Sequence, residues 1–129
     1  MEPLYIEASN LSPIVILDKS KEIFLIKGRS LPENAFSFYD PIIEWLITYL
    51  RDPNPGTIFT FELIYFNSAS SKAILQIVQI LEKLIENGLQ ASVIWFYQEE
   101  DEDSLETGET YASLVDVPFV FKKFIATND

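Results

Sequence analysis

The sequence predicts an α/β fold, a mixed β-sheet with helices packed against it, in the order β-β-α-β-α-β-α-β. Two observations carry this. Short β-branched and aromatic runs alternate with stretches of helical periodicity, and the spacing between them suits parallel neighbours joined by right-handed helical crossovers. At 129 residues, 48% of them hydrophobic, the chain has the size of one domain able to bury its own core. A single unit over residues 1–129 is expected.

Residues 14–17 (IVIL) and 22–27 (EIFLIK) flank the polar Asp18-Lys19-Ser20-Lys21 and predict a hairpin. Ser30 and Glu33 have the S-x-x-E spacing of a reciprocal helix cap, so a helix is expected to begin near Pro32. It continues through Ile43, Leu46, Ile47 and Leu50, with a kink or restart at Asp40-Pro41, where proline lacks the amide that an interior turn uses. Residues 51–56 (RDPNPG) form a turn. Residues 57–66 (TIFTFELIYF) set Phe59, Phe61, Leu63 and Tyr65 on one face and read as a central strand. A second helix carries Ile74, Ile77, Val78, Leu81 and Ile85 toward the core and ends at Asn87-Gly88. Residues 91–97 (ASVIWFY) are almost wholly apolar, the pattern of a strand covered on both faces. A short helix over 104–114 and a last strand over 119–124 complete the order.

Composition removes several function classes. The chain has neither Cys nor His, which excludes disulfides, thiolate nucleophiles, Cys/His zinc sites and imidazole bases. Its net charge of -11 would repel phosphate backbones, so nucleic-acid binding is not expected. No apolar run approaches the roughly 18–20 residues of a membrane span, and the acidic start MEPLYIEAS lacks the basic region of a signal peptide. A soluble, cytoplasmic, non-enzymatic protein without cofactor is the expectation.

The most informative junction is Tyr65-Phe66-Asn67-Ser68-Ala69-Ser70-Ser71-Lys72, where a buried-looking strand hands over to the strongest helix. Capping explains hydroxyl and amide side chains at such a place, each cap contributing about 1 kcal/mol. A serine there is also open to a kinase, and its phosphate would meet free helix amides with Lys72 nearby in sequence. The two roles are compatible.

At these residues the chain resembles the SiaC-type regulatory phosphoproteins, bacterial relatives of anti-sigma-factor antagonists with a STAS-like fold. The resemblance runs almost end to end. It rests on Ile6-Glu7-Ala8, Ser12-Pro13, the block from Gly28 to Ala35 (GRSLPENA), Phe38-Tyr39, Pro41 to Leu46 (PIIEWL), the Tyr65-to-Lys72 junction, and Trp95-Phe96-Tyr97. It implies a partner switch: a cognate serine/threonine kinase phosphorylates one junction hydroxyl, a PP2C-type phosphatase removes the phosphate, and the state selects an output protein such as a diguanylate cyclase or an anti-sigma-like regulator. By position that hydroxyl is Ser68. The family often has threonine there, and Ala69 replaces a frequent hydroxyl residue. Asn67, Ser70, Ser71 and Lys72 are expected to belong to the partner-binding junction, with Ser70 and Ser71 as secondary acceptors.

Other candidates have plainer readings. Residues 99–109 hold seven of the twenty acids, but without the spaced oxygen ligands and central glycine of a calcium loop, so a solvated acidic loop is expected and no metal site. Core is the expectation for most of Trp45, Trp95, Phe36, Phe38, Tyr39, Tyr65, Phe66, Phe96 and Tyr97. Phe38 and Tyr39 are candidate docking anchors, and Arg29 either pairs internally or stands near the switch face. Two alternative classes remain, a constitutive acidic adaptor and a carboxylate- or metal-dependent enzyme.

Overall fold

A computed structural model describes residues 1–125. The elements are β1 (Leu4–Ile6), β2 (Ile14–Asp18), β3 (Ile23–Ser30), α1 (Ala35–Tyr49), β4 (Gly56–Phe66), α2 (Ser68–Glu86), β5 (Gln90–Gln98), α3 (Glu102–Leu114) and β6 (Phe119–Phe124). The order therefore has one strand more than expected. β1 pairs antiparallel with β2, setting Tyr5 opposite Ile16. Three residues carry no readable period, and the segment before them is held by a distant group: the Trp45 indole N–H donates to the Glu2 carbonyl at 2.8 Å.

All six strands form one sheet whose spatial order is their chain order. Pairing is antiparallel from β1 to β3 and parallel from β3 to β6. Each parallel crossover advances by one position in the same direction, so right-handed connections place α1, α2 and α3 on one face. Burial agrees with this. Val15, Leu17, Phe24, Ile26, Phe59, Phe61, Val93 and Trp95 share a core with Ile42 and Leu46 of α1 and Ile74, Ile77, Val78 and Leu81 of α2. The alternating residues look outward, and Ile58 and Val120 are about half exposed. β5 is thus covered on one face, not two, because every crossover winds to the same side.

The hairpin forms as expected, with Asp18 paired to Ile23 and its carboxylate accepting from the Ser20 hydroxyl and the Lys21 amide. Those bonds, the Ser20 one foremost, hold the Asp18 carboxyl below its usual pKa. The Ser30-to-Glu33 cap does not form. β3 runs on through Ser30, and α1 is capped by Asn34, whose side-chain oxygen accepts from the Ser37 amide at 3.1 Å. Pro41 lies inside α1 without ending it. The carbonyl left without its amide belongs to the exposed Ser37, while Ala35, Tyr39, Ile42, Leu46 and Tyr49 bury one continuous stripe.

One irregularity shapes the edge where β3 and β4 end. Gly28 pairs with Leu63 but Ser30 pairs with Phe66, so two residues of β4, Ile64 and Tyr65, stand opposite the single Arg29. Gly28 at φ 120° occupies a backbone region closed to L side chains, as a bulged strand pair often demands. The extra residue reverses the alternation. Phe66 turns inward, edge-on to Trp95 at 6.2 Å, and Tyr65, expected in line with Phe59 and Phe61, stands 53% exposed.

Candidate functional site

Since α1, α2 and α3 each follow a strand of the parallel half, their N-termini gather at the carboxyl edge of that sheet, where open α/β sheets bind their ligands. The β4-to-α2 junction lies at this edge. Asn67 is the N-cap of α2, extended at φ -87° and ψ 174°. Its side-chain oxygen accepts from the Ser70 amide at 2.8 Å, and its own amide donates to the Ser30 carbonyl at 3.2 Å.

Beneath this cap lies a buried hydroxyl network. The Ser70 hydroxyl donates to the Ser30 carbonyl at 3.0 Å, and the Ser30 hydroxyl donates to Ser70 Oγ at 2.9 Å. Each hydroxyl has one proton, so the Tyr39 phenol must be the donor in its 2.5 Å bond to Ser30 Oγ. Burial pushes the Tyr39 phenol up to about 12, against the opposing effect of its Ser30 and Ser70 bonds. On the other flank the Tyr111 phenol donates to the Ser71 carbonyl at 2.8 Å and so must accept from the Ser71 hydroxyl. Burial raises the Tyr111 phenol as well. The first turn of α2 is thereby fastened to β3, α1 and α3.

This differs from the expected site in a definite way. Ser70 and Tyr39 are 0% and 1% exposed. A kinase or partner would find neither, and both support the junction from below. Ser71 is half-buried and engaged with Tyr111. Phe38 is half-buried, edge-on to Tyr39 at 5.0 Å. Ser68, the first residue of α2, is exposed and takes no part in the network, and Lys72, one helical turn on, is exposed too.

Two neighbours complete the edge. Arg29 is exposed with its guanidinium 5.6 Å from the centre of the Tyr65 ring, a cation–π distance. Phe36, in the first turn of α1, is 78% exposed. It lies off the stripe of Ala35, Tyr39 and Ile42, so a helical projection of the sequence separates it from the core residues it was grouped with. No comparable signal marks the bulge that exposes Tyr65.

The acidic segment is more ordered than a solvated loop. Asp101 caps α3 by accepting from the Ser104 amide at 2.9 Å, and Glu102 and Asp103 occupy the first turn, where carboxylates favour the positive end of the helix. Glu99 pairs with Lys123 at 3.6 Å. Among the described residues no group of three or more acidic side chains is placed to hold a metal ion, and no helix is long and apolar enough to cross a membrane.

Residues 6–124 match the model of the SiaC family regulatory phosphoproteins. The chain belongs to the SiaC family. It is 26% identical over 122 residues to an uncharacterized protein of Pseudomonas aeruginosa strain UCBPP-PA14, covering 95% of this chain and 97% of that one. Among solved structures, apo-SiaC from Pseudomonas aeruginosa superposes with a TM-score of 0.86 at 25% identity, covering 95% of this chain and 99% of that one. The complex of the diguanylate cyclase SiaD with its activator SiaC, from the same organism, gives a TM-score of 0.87 at 26% identity, covering 94% and 99%. The α/β architecture read from the sequence is the one these SiaC structures share.

Proposed function

We propose that the protein is a non-enzymatic, phosphorylation-controlled partner switch of the bacterial cytoplasm. Ser68 receives phosphate from a cognate serine/threonine kinase and loses it to a PP2C-type phosphatase. The unmodified form binds an output enzyme, and a diguanylate cyclase is the favoured class because SiaC of Pseudomonas aeruginosa is the activator of one. The carrying observation is that Ser68 stands exposed at the start of α2 while the hydroxyls around it are committed to the network below.

Charge provides the mechanism. Phosphate adds roughly -1.5 to -2 at a surface that a partner must desolvate. It would meet the free amides of the first turn of α2 and the cations Lys72 and Arg29. A hundredfold change in partner affinity corresponds to only about 2.7 kcal/mol, within reach of one misplaced charge at an interface. The rigid junction beneath Ser68 means that the surface changes charge without refolding.

The test has two arms. Incubation with ATP and the cognate kinase should add one phosphate, located to Ser68 by mass spectrometry and absent in Ser68→Ala. In binding assays with the output cyclase, Ser68→Ala should retain affinity and Ser68→Asp should lose it by tenfold or more. Phosphate on another residue would move the switch elsewhere. Equal affinities of the two variants would make the protein a constitutive adaptor.

A further inference from the structure

Arg29 and Tyr65 meet because of the bulge. With Ile64 and Tyr65 both opposite Arg29, and with Ser30 and Phe66 turned inward beside them, the guanidinium and the ring share the outward side of the sheet at 5.6 Å. Both residues are exposed. Among the described residues the ion pairs are Lys19 with Asp52, Lys27 with Glu62 and Lys123 with Glu99, so Arg29 has no carboxylate partner there. A cation over a solvent-exposed ring is weakly held.

The same arginine stands next to Ser68. The Ser30 carbonyl accepts the Asn67 amide at 3.2 Å, and Arg29 and Ser68 flank that bond, one preceding Ser30 and the other following Asn67. The carbonyl also accepts the Ser70 hydroxyl at 3.0 Å, which fixes the two backbones side by side. Nearby acids narrow where a phosphate on Ser68 can turn. Past Tyr65, the cleft between the ends of β4 and β5 and the start of α3 is lined by Glu100, Asp101 and Asp103, and a wall of that sign repels a dianion.

We propose that Arg29 is the residue that binds the phosphate of Ser68, and that it leaves the Tyr65 ring to do so. The inference rests on Ser68 as the modified residue. A guanidinium makes two parallel, charge-assisted bonds to a phosphate, which outweigh an exposed contact with a ring. Lys72 offers only a point charge. Phosphorylation then changes the surface twice: it adds a dianion, and it frees the face of Tyr65 that Arg29 covers in the unmodified chain. A partner can read both changes while the backbone stays in place.

The test places phosphoserine at residue 68 of the isotope-labelled full chain by codon reassignment, so that a failure here is distinct from a kinase choosing another residue. In the unmodified chain the Arg29 δ-methylene protons should show the upfield shift of a group above an aromatic ring, and Tyr65→Leu should abolish it. In the phosphoserine chain that shift should be lost, and the Tyr65 ring protons should gain relaxation from a soluble paramagnetic probe. Arg29→Gln, at an exposed position, should displace the phosphorus resonance further than Lys72→Gln does. Circular dichroism of each variant confirms its fold. An upfield shift of Arg29 that survives in the phosphoserine chain, or a phosphorus resonance that responds to Lys72→Gln and not to Arg29→Gln, would overturn the proposal.

Discussion

Ser30 is the clearest residue-scale case of one side chain with two readings. Its spacing to Glu33 suggests a helix cap, but the structure buries it completely and makes it the centre of the Tyr39 and Ser70 bonds. Removing such a centre leaves buried donors and acceptors unmatched, at about 1–3 kcal/mol for each unsatisfied group. Ser104 is the opposite case, since its hydroxyl is buried and finds no partner among the described residues. Ser30→Ala should therefore lower the urea midpoint clearly, and Ser104→Ala should leave it unchanged or raise it by up to about 1 kcal/mol of stability. Equal losses from the two would contradict the network. Local spacing could nominate Ser68 and Asn67 because capping is a short-range property. It could not separate Ser68 from Ser70, because what buries Ser70 includes Ser30 of β3, forty residues away in the chain.

At the scale of elements, those with strong periods were legible and those defined by neighbours were not. α2 and the β2–β3 hairpin follow from apolar spacing and turn chemistry alone. β1 has only three residues, α1 continues through a proline that ordinarily interrupts a helix, and the bulge in β4 appears only once β3 lies beside it. α3 depends on context in the same way, because its packing relies on Gly108. A Cβ at that position would come within 2.8 Å of Trp95 Nε1 and 2.9 Å of Phe121 Cε1, distances that force a ring to move. Gly108→Ala gains up to about 1 kcal/mol of helix propensity, but overpacking ordinarily costs about 1–3 kcal/mol. The net result should be a loss of thermal stability. A rise in melting temperature would show that α3 has room to shift away from β5.

For the whole molecule, charge and burial set the response to pH. A net charge of -11 already opposes compaction, and raising the pH ionises tyrosines and adds to it. Tyr39 resists, since burial lifts its folded pKa to about 12, above the ordinary tyrosine value of 10.0, and Tyr111 shifts in the same direction. Between those values the unfolded chain binds fewer protons than the native one, so stability falls as pH rises. The Tyr39 contribution is fully present below pH 10 and is lost toward pH 12, on the order of 2–3 kcal/mol. Urea unfolding at intervals from pH 8 to 11.5 should show this decline, and Tyr39→Phe should flatten it. The helices α1, α2 and α3 all start at one edge of the sheet, the edge that carries the candidate site.

The strand order carries a further consequence for how the protein is made. Because each strand lies beside the one synthesised just before it, the sheet can lengthen in step with translation. No early segment has to be held open for a later one to thread between its neighbours. A ribosome-bound chain would then present one growing edge at a time, closed as the next strand emerges.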